Sequence, residues 1–498
     1  MLSRPVSIKD GLISGVFDQT TGVTAYKGIP YAAPPIGNLR WQPPRPAAKW
    51  SGVRLANQFG ASCLQKTTRP GLPYTQEYLA SPPFSEDCLY LNIWTTANSS
   101  HAHQPVLVWI HGGGFITGSG SVPIYDGATL AQKGIIVVTI NYRLGIFGFF
   151  AYPRLTQESH HHSSGNYGLL DQIAALHWVK DNISAFGGDP HSVTVAGQSA
   201  GAASVYDLIA SPLAKGLFAR AIAESYLSTD SDDITLKEME SEGLRFAPTK
   251  GARSLAELRA MSASILLSSS SGQRLGFSPN IDGWVLPRTI EEAVFEGKEI
   301  DVPILTGVGA DEALVRPAFA HLNASAFRQQ VHVSFGPLED TVFKLYPAES
   351  DEETKISGRA LDRDLGLAMI FLRGQGHSKT SKTSFYSYYW DHPEPGPGEL
   401  LYGAFHGSEV SYVFETLNQA DRPWTPEDRA IANRMSAYWV NFVKTGNPNG
   451  PGLRYWPTFR QGNGAAMEFG NASSLRPPPA EVKINLLKAY LAEHGKQW

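Results

Sequence analysis

The chain has 498 residues, of which 42% are hydrophobic and 18% are charged, so it can bury a large apolar core. Its formal net charge of −4 gives no indication of nucleic acid or an anionic membrane as a partner. The sequence contains no apolar run of about 18 residues, the length that a membrane-spanning helix requires, so no membrane span is predicted.

The N-terminal residues 1–10 lack the apolar segment of a signal peptide. The sequence therefore predicts a cytoplasmic protein if this is the full-length chain, and a secreted protein if the chain has been processed. Two cysteines are present, Cys63 and Cys88. Their number alone does not distinguish two free thiols from one disulfide.

The first part of the chain is rich in turn-forming residues. Residues 11–46 combine glycine, proline and aromatic side chains, which predicts short antiparallel strands followed by a surface segment. Residues 57–85 have loop composition and contain four prolines. Because a connection of this length is rarely passive, we expect it to form a lid or a binding loop.

From residue 86 onward, apolar runs of strand length alternate with helical patterns. Continuous apolar runs indicate strands buried on both faces. This alternation predicts an α/β fold with a largely parallel sheet and helices on both faces. Helical spacing is clear in residues 171–186, and the predicted strands are residues 86–94, 105–110, 134–141, 192–196, 220–224, 302–307 and 383–390.

Two polar segments interrupt this alternation, residues 228–276 and 318–365. Both have a helical but irregular pattern. We expect them to be insertions that build a rim or cap over the C-terminal edge of the sheet, where ligands bind in open α/β folds.

A serine-bearing turn follows the predicted strand 192–196. Residues 197–201 read Gly-Gln-Ser-Ala-Gly and fit G-x-S-x-G, in which the serine lies on a strained strand-to-helix turn with its hydroxyl exposed. The start of the following helix places a backbone N–H group and a positive dipole end beside any anion formed at Ser199. Ser199 is therefore the predicted nucleophile.

A serine nucleophile needs a base, and the base needs an acid that orients it. The histidines downstream of Ser199 include His321, His332, His377, His392 and His406. His406 is favoured because small residues flank it in a predicted loop, although His392 also follows a strand end. For the acid, Asp311 and Glu312 both follow strand 302–307, and their spacing does not choose between them.

A glycine-rich loop follows strand 105–110. Residues 111–115 read His-Gly-Gly-Gly-Phe, and three glycines allow backbone N–H groups to face a substrate, as in oxyanion loops of the H-G-G-G type. Two of these N–H groups, with that of Ala200, could hold an oxyanion. A phosphate-binding loop is disfavoured because neither glycine motif for nucleotide binding fits.

The sequence indicates neither a cofactor nor a metal ion. Three consecutive histidines at residues 160–162 are the one feature that suggests metal binding. Because no second group of ligands has suitable spacing, we interpret them as part of a solvated loop.

Taken together, these segments resemble the type-B carboxylesterase/lipase family, which includes cholinesterases and fungal lipases. The resemblance extends from about residue 11 to residue 488 and implies an α/β-hydrolase fold. Length alone would favour about three domains, whereas the resemblance implies one catalytic domain over residues 2–498, with insertions around 57–85, 228–276 and 318–365. The matching segments are residues 86–94, 141–145, 165–172, 186–201 and 405–409.

The resemblance also implies a role for individual residues. The nucleophile is Ser199, the acid is Glu312 rather than Asp311, and the base is His406. The implied oxyanion donors are the N–H groups of Gly113, Gly114 and Ala200. The implied supporting residues are Ser225 and Glu409.

Two further points follow from the resemblance. It implies a disulfide between Cys63 and Cys88, a bond that is typical of oxidising compartments. The sequence also departs from the family at Gln198, where glutamate is commoner. The departure removes a negative charge beside the nucleophile.

The implied function is that of a serine carboxylic-ester hydrolase that forms an acyl-enzyme with a small or lipophilic ester and needs no cofactor. An acyltransferase or lactonising enzyme with the same triad is an alternative. A non-catalytic, adhesion-type relative is disfavoured, because such proteins typically lose the serine and carry a membrane anchor. The expected partner is a small-molecule ester, and the sequence predicts no oligomeric state.

Overall fold

An 11-stranded sheet runs through the centre of the protein. The structure is a computed structural model that describes residues 1–226, 233–268, 276–316, 319, 321–470 and 473–494. Its strands are β3 (Val16–Phe17), β4 (Thr24–Pro30), β8 (Tyr90–Thr95), β9 (Gln104–Ile110), β10 (Ile136–Ile140), β11 (Gly188–Gln198), β12 (Arg220–Glu224), β13 (Ile304–Gly309), β14 (Phe385–Trp390), β15 (Ala466–Phe469) and β16 (Ser474–Arg476). Spatially, they follow the order β16-β15-β14-β13-β12-β11-β9-β10-β8-β4-β3.

The middle of this sheet is parallel and its edges are antiparallel. Strands β10, β9, β11, β12, β13, β14 and β15 pair in parallel, whereas β8, β4, β3 and β16 are antiparallel to their neighbours. Every residue of β10 and β13 is buried, as expected for strands covered on both faces. The predicted largely parallel sheet is therefore confirmed.

Two smaller sheets lie outside the central one. The first joins β1 (Val6–Ile8), β2 (Gly11–Ser14) and β5 (Val53–Leu55), and the second joins β6 (Ser62–Cys63) and β7 (Phe84–Ser85). The second sheet lies at the two ends of segment 57–85. A disulfide between Cys63 and Cys88 closes this segment.

Helices cover the faces of the central sheet and form the insertions. None of the described helices combines the length and apolar character needed to cross a bilayer. The described α-helices are α1 (Ala128–Gln132), α2 (Gly145–Phe149), α3 (Pro153–Glu158), α4 (Tyr167–Asn182), α5 (Ala200–Ala210), α6 (Leu236–Thr249), α7 (Leu255–Ala260), α8 (Ala263–Leu267), α9 (Ile290–Phe295), α10 (Ala324–Phe335), α11 (Glu339–Leu345), α12 (Asp351–Thr380), α13 (Glu399–Tyr402), α14 (Val410–Val413), α15 (Pro426–Thr445) and α16 (Glu481–Glu493).

Short 3₁₀ helices connect several of these elements. They cover Gly37–Leu39, Gln76–Tyr78, Pro123–Tyr125, Ile183–Phe186, Pro212–Ala214, Glu312–Val315, Gly336–Leu338 and Leu417–Gln419. The helix expected at 171–186 differs from the structure at both ends. It begins earlier, at Tyr167, and its last turn is the 3₁₀ helix Ile183–Phe186.

The predicted insertions differ in structure. Segment 57–85 contains only two short strands and one 3₁₀ helix. The described part of 228–276 contains α6, α7 and α8, and the described part of 318–365 contains α10, α11 and the start of α12. Residues 228–232, 269–275, 318 and 320 lie outside the described residues. The assignment of residues 2–498 to one domain stays a prediction.

The strand register determines where the loops meet. In the parallel pair of β9 and β11, Ile110 lies opposite Gly197. In the pair of β11 and β12, Gln198 lies opposite Glu224. The loops that follow β9, β11 and β12 therefore leave the sheet at one edge, because parallel strands end on the same side.

Candidate active site

Ser199 lies on the turn between β11 and α5. Its backbone has φ 58° and ψ −125°, a strained conformation for a residue with a side chain. The turn is held from outside, because the Ser199 N–H group donates to the carbonyl of Glu224 at 2.9 Å. The neighbouring elements keep the serine at the edge of the sheet.

The glycines on either side of the serine are required by close approach. A Cβ atom at Gly201 would lie 2.1 Å from the carbonyl oxygen of Ile110, and a Cβ atom at Gly197 would lie 2.5 Å from the carbonyl carbon of Gly201. Both distances are shorter than contacts between non-bonded atoms allow. The spacing of the motif therefore has a direct steric cause.

Glu312 and His406 are brought together by two separate loops. Glu312 opens the 3₁₀ helix that follows β13, and a parallel bridge between Asp311 and Phe405 places the histidine loop (residues 403–409) beside it. Nδ1 of His406 forms a very short hydrogen bond with Oε2 of Glu312. The other carboxylate oxygen of Glu312 accepts a hydrogen bond from the Gly309 N–H group at 2.6 Å.

The neighbouring carboxylate, Asp311, has different partners. It accepts a hydrogen bond from Nη2 of Arg359 at 2.7 Å and another from the Ala404 N–H group at 2.9 Å. Of the two acids that spacing left open, the structure brings Glu312 to His406, and Asp311 holds the backbone of the same histidine loop.

The alternative base, His392, lies elsewhere. Its Nε2 atom contacts Oδ1 of Asp428 at 2.8 Å. Asp428 also caps the start of α15, so His392 belongs to a buried structural cluster.

Glu312 and His406 stabilise each other's charged forms. Burial raises the pKa of Glu312, but the charge on His406 and the Gly309 N–H group outweigh this effect, so the pKa of Glu312 is lowered. Burial likewise lowers the pKa of His406, but the Glu312 carboxylate outweighs it, so the pKa of His406 is raised. The pair therefore stabilises an imidazolium when one forms.

The second nitrogen of His406 faces Gln198. Nε2 of His406 lies 3.2 Å from Nε2 of Gln198. Among the described residues, no hydrogen bond joins His406 to the Ser199 hydroxyl, although both side chains line one cavity.

The glycine-rich loop after β9 lies opposite the serine. Gly113 has φ 103° and Gly114 has φ 62°, both in the region that favours glycine. Within the described residues, neither of their N–H groups donates to a protein acceptor. Gln65 fixes the end of the loop, because its amide exchanges hydrogen bonds of 2.7 Å and 2.9 Å with the backbone of Gly118.

The first residue of this loop, His111, has a structural role. Its ring stacks on Tyr142 with 4.5 Å between the ring centres, and its Nδ1 lies 2.8 Å from the carbonyl oxygen of Gly112. Burial lowers the pKa of His111 to about 4, so the ring is neutral at physiological pH.

The two expected supporting residues contact each other. The Ser225 hydroxyl donates to Oε1 of Glu409 at 2.6 Å, and the Tyr388 hydroxyl lies 3.4 Å from the same oxygen. Burial, followed by the charge of Glu312, raises the pKa of Glu409 to about 7. Ser225 also forms a side-chain hydrogen bond with Glu312 that contributes to lowering the pKa of that carboxyl. The support of Glu312 by Ser225 stays a prediction.

Two residues of this region were missed by sequence reasoning. Glu224 ends β12 and accepts a hydrogen bond from Nε1 of Trp439 at 2.7 Å. Burial, followed by the charge of Glu409, raises the pKa of Glu224 well above its ordinary value. A glutamate directly after the apolar residues 221–223 of this strand was the available signal.

The second missed residue is Tyr74, in the disulfide-closed segment. Its hydroxyl donates to the backbone carbonyl of His406 at 2.9 Å, and its ring packs edge-on against Phe405. The neighbouring Tyr78 also packs against Phe405. Segment 57–85 thus supports the histidine loop, a contact that no local pattern indicates.

These elements enclose a cavity of about 490 Å³. Its wall combines the disulfide-closed segment, the glycine-rich loop, the 3₁₀ helix Pro123–Tyr125 and the loops of Ser199 and His406. Aliphatic side chains in the wall are Leu72, Leu79, Val122, Ile124 and Val410, and aromatic ones are Tyr74, Tyr78 and Tyr125. In the part of the chain that the structure describes, no group of three or more His, Cys, Asp or Glu side chains could hold a metal ion.

Comparison with known proteins gives a consistent picture. A family model described as the carboxylesterase family matches residues 3–487. Fumonisin B1 esterase of Sphingopyxis macrogoltabida is 37% identical over 473 residues, which cover 92% of this chain and 85% of that protein. Para-nitrobenzyl esterase of Bacillus subtilis (strain 168) is 35% identical over 480 residues, covering 93% and 94% respectively.

A mammalian enzyme and a solved structure extend the comparison. Liver carboxylesterase of Sus scrofa is 33% identical over 491 residues, covering 89% of this chain and 84% of that one. A solved structure of PNB esterase superimposes with a TM-score of 0.82 at 33% identity, and the match covers 97% of this chain and 99% of the other. The predicted α/β-hydrolase fold is therefore confirmed.

Proposed function

The chain belongs to the carboxylesterase family and is a carboxylic ester hydrolase, and from this premise we propose that Ser199, His406 and Glu312 form its catalytic triad. The observation that carries the proposal is the Glu312–His406 hydrogen bond beside a strained serine turn, with Ser199 and His406 lining one cavity. A serine on such a turn, with a base and an orienting acid, is the arrangement that nucleophilic acyl transfer requires.

In the first half of the reaction, Nε2 of His406 removes the proton of the Ser199 hydroxyl as Oγ attacks the ester carbonyl carbon. The resulting imidazolium is stabilised by the Glu312 carboxylate. When the tetrahedral intermediate collapses, the bond to the alcohol oxygen breaks and His406 returns the proton to the leaving alcohol. An acyl-enzyme at Ser199 remains.

In the second half, His406 removes a proton from a water molecule, which attacks the acyl carbon. Collapse of the second tetrahedral intermediate breaks the bond to Ser199 Oγ, and the serine recovers its proton from His406. The products are the carboxylic acid and the free enzyme.

The oxyanion of both intermediates is held by the N–H groups of Gly113, Gly114 and Ala200. The first two have no protein acceptor among the described residues, which leaves them available to a ligand. Ala200 opens α5, so its N–H group points out of the positive end of that helix. Loss of one such donor costs about 10²–10³ in rate in comparable sites.

The cavity supports a small or lipophilic ester as the substrate. Its volume of about 490 Å³ suits a molecule of modest size, and aliphatic and tyrosine side chains form much of its wall. The relatives are named for chemically different esters, so their names do not select one for this chain.

Ser199→Ala tests the proposal. The variant should lose hydrolysis of p-nitrophenyl esters and labelling by a fluorophosphonate, because both need the Ser199 oxygen. Ser264→Ala, at an exposed serine of α8, is the matched control and should keep both. Wild-type rates in the Ser199 variant would refute the triad, and product analysis with an added alcohol separates hydrolysis from acyl transfer.

A further inference from the structure

The side chain of Gln198 occupies a narrow space between two catalytic loops. A Cβ atom at Gly112 would lie 3.1 Å from Oε1 of Gln198, and a Cβ atom at Gly407 would lie 3.3 Å from its Nε2. The residue is only 6% exposed. Because both neighbours are glycines, the amide can pass between them and face the imidazole of His406.

The proton positions on His406 follow from its partners. Nδ1 contacts a carboxylate oxygen of Glu312, so Nδ1 carries the proton in the neutral ring and Nε2 has a free electron pair. The Gln198 amide nitrogen lies 3.2 Å from that Nε2. An amide nitrogen can only donate, so the contact is a hydrogen bond from Gln198 to the nitrogen that the mechanism uses as its base.

We propose that Gln198 is a positioning residue. In the free enzyme, its amide donates a hydrogen bond to Nε2 of neutral His406 and thereby disfavours protonation of Nε2. The proposal rests on the function given above, in which Nε2 accepts the Ser199 proton. Protonated Nε2 would place an N–H donor against the amide donor, whereas the neutral ring fits it. A glutamate at this position would do the opposite and stabilise the imidazolium.

Other groups also contact His406, but at different atoms. Glu312 binds Nδ1, and Tyr74 binds the backbone carbonyl. Glu409, Arg316 and Asp362 are further charged groups that influence the ring or its Glu312 partner. Among the described residues, Gln198 provides the hydrogen bond at Nε2. A change at Gln198 therefore alters the environment of the reactive nitrogen without removing the Glu312 contact.

The arrangement has a consequence for the pH range of the enzyme. Because catalysis needs neutral His406, the activity falls as the pH drops below the pKa of His406. Because Gln198 disfavours the protonated form, the wild-type enzyme should keep its activity to a lower pH than a variant with a carboxylate in the same place.

Gln198→Glu and Gln198→Met test this inference through the pH dependence of kcat/KM. In the Glu variant, the acid limb of the profile should move up by about one pH unit, because an opposite charge within about 4–6 Å favours the charged imidazole. In the Met variant, which keeps the chain length but has no donor, the limb should move up by less. The rate of fluorophosphonate inactivation should follow the same shifts.

Gln329→Glu adds the same charge at an exposed position of α10 and should leave the limb unchanged. A Gln198→Glu limb identical to wild type would overturn the inference. If that variant does not fold, an unchanged limb in Gln198→Met has the same meaning. Equal losses of kcat without a shift would show that Gln198 only fills space, which also contradicts the proposal.

The two proposals fail in different ways. If Ser199→Ala keeps its activity, the proposed triad is wrong and the Gln198 inference falls with it. If Ser199→Ala is inactive and the acid limb does not move in the Gln198 variants, the triad stands and only the role of Gln198 is wrong.

Discussion

The serine turn (residues 197–201) and the histidine loop (residues 403–409) are positioned in different ways. The serine turn is fixed mainly by close backbone packing, which its two glycines permit, and β11 ends and α5 begins at this turn. The histidine loop has little regular structure of its own. It is held by side chains that come from distant parts of the chain.

Several of these contacts are hydrogen bonds, and the rings of Tyr74 and Tyr78 also pack against Phe405. Asp311 binds the Ala404 N–H group, Tyr74 binds the His406 carbonyl, and Nε1 of Trp390 donates to the Ser408 hydroxyl at 2.8 Å. The serine turn therefore depends on backbone sterics, whereas the histidine loop depends on long-range hydrogen bonds. Substitutions should therefore damage the two halves differently, in folding for the serine turn and in catalysis for the histidine loop.

The largest expected effect is a difference in kcat/KM between variants of the two adjacent acids, Glu312 and Asp311. Glu312→Gln should reduce kcat/KM by about 10³-fold or more, because the histidine loses the charge that orients it and stabilises its imidazolium. Asp311→Asn should cost less than about tenfold, because Asp311 acts on the loop backbone and not on the ring. Steady-state kinetics of both variants at one pH measures the difference, and equal losses would contradict the assignment of Glu312.

The next effect concerns the serine turn. Gly201→Ala should lower the free energy of unfolding by about 3 kcal/mol or more, because the new Cβ would collide with the Ile110 carbonyl and backbone would have to shift. Gly276→Ala is the matched control, because its Cβ would meet no atom within 4 Å. Chemical denaturation compares the two, and a Gly201 variant as stable as the control would show that the turn tolerates a side chain.

The smallest effect concerns the support of the histidine loop from segment 57–85. Tyr74→Phe removes the hydrogen bond to the His406 carbonyl and keeps the ring packing against Phe405. We expect a loss of about 1 kcal/mol in transition-state stabilisation, or roughly fivefold in kcat/KM. Tyr455→Phe, at an exposed tyrosine, is the control. An unchanged rate for Tyr74→Phe would mean that the loop keeps its position without this contact.

The elements that the sequence predicted well have local causes. The strand predicted at residues 220–224 matches β12 at both ends, because a short apolar run between two helical segments fits a buried parallel strand and little else. The strand expected at 192–196 is longer, Gly188–Gln198, because Gly188 also pairs with Gln104 of β9, before a register shift that ends at Val193. The sequence predicted the serine turn because the two glycines that the close packing requires lie within a motif of five residues.

The elements that the sequence left open depend on contacts between distant residues. Asp311 and Glu312 differ by one position, yet their carboxylates reach Arg359 and His406, and no spacing rule indicates which goes where. Tyr74 and Glu224 gave no motif, because their roles arise from the packing of loops that are far apart in the chain. The family resemblance proposed the acid and the base, and the roles of both remain proposals that the variants above test.

The disulfide between Cys63 and Cys88 joins the two ends of the segment that forms one wall of the cavity. Tethered ends let the intervening residues change in sequence and length while the entry and exit points stay together. The proposed nucleophile, base and acid belong to other parts of the sequence. A substitution within this segment would therefore change the wall of the cavity without replacing any of the three proposed catalytic residues.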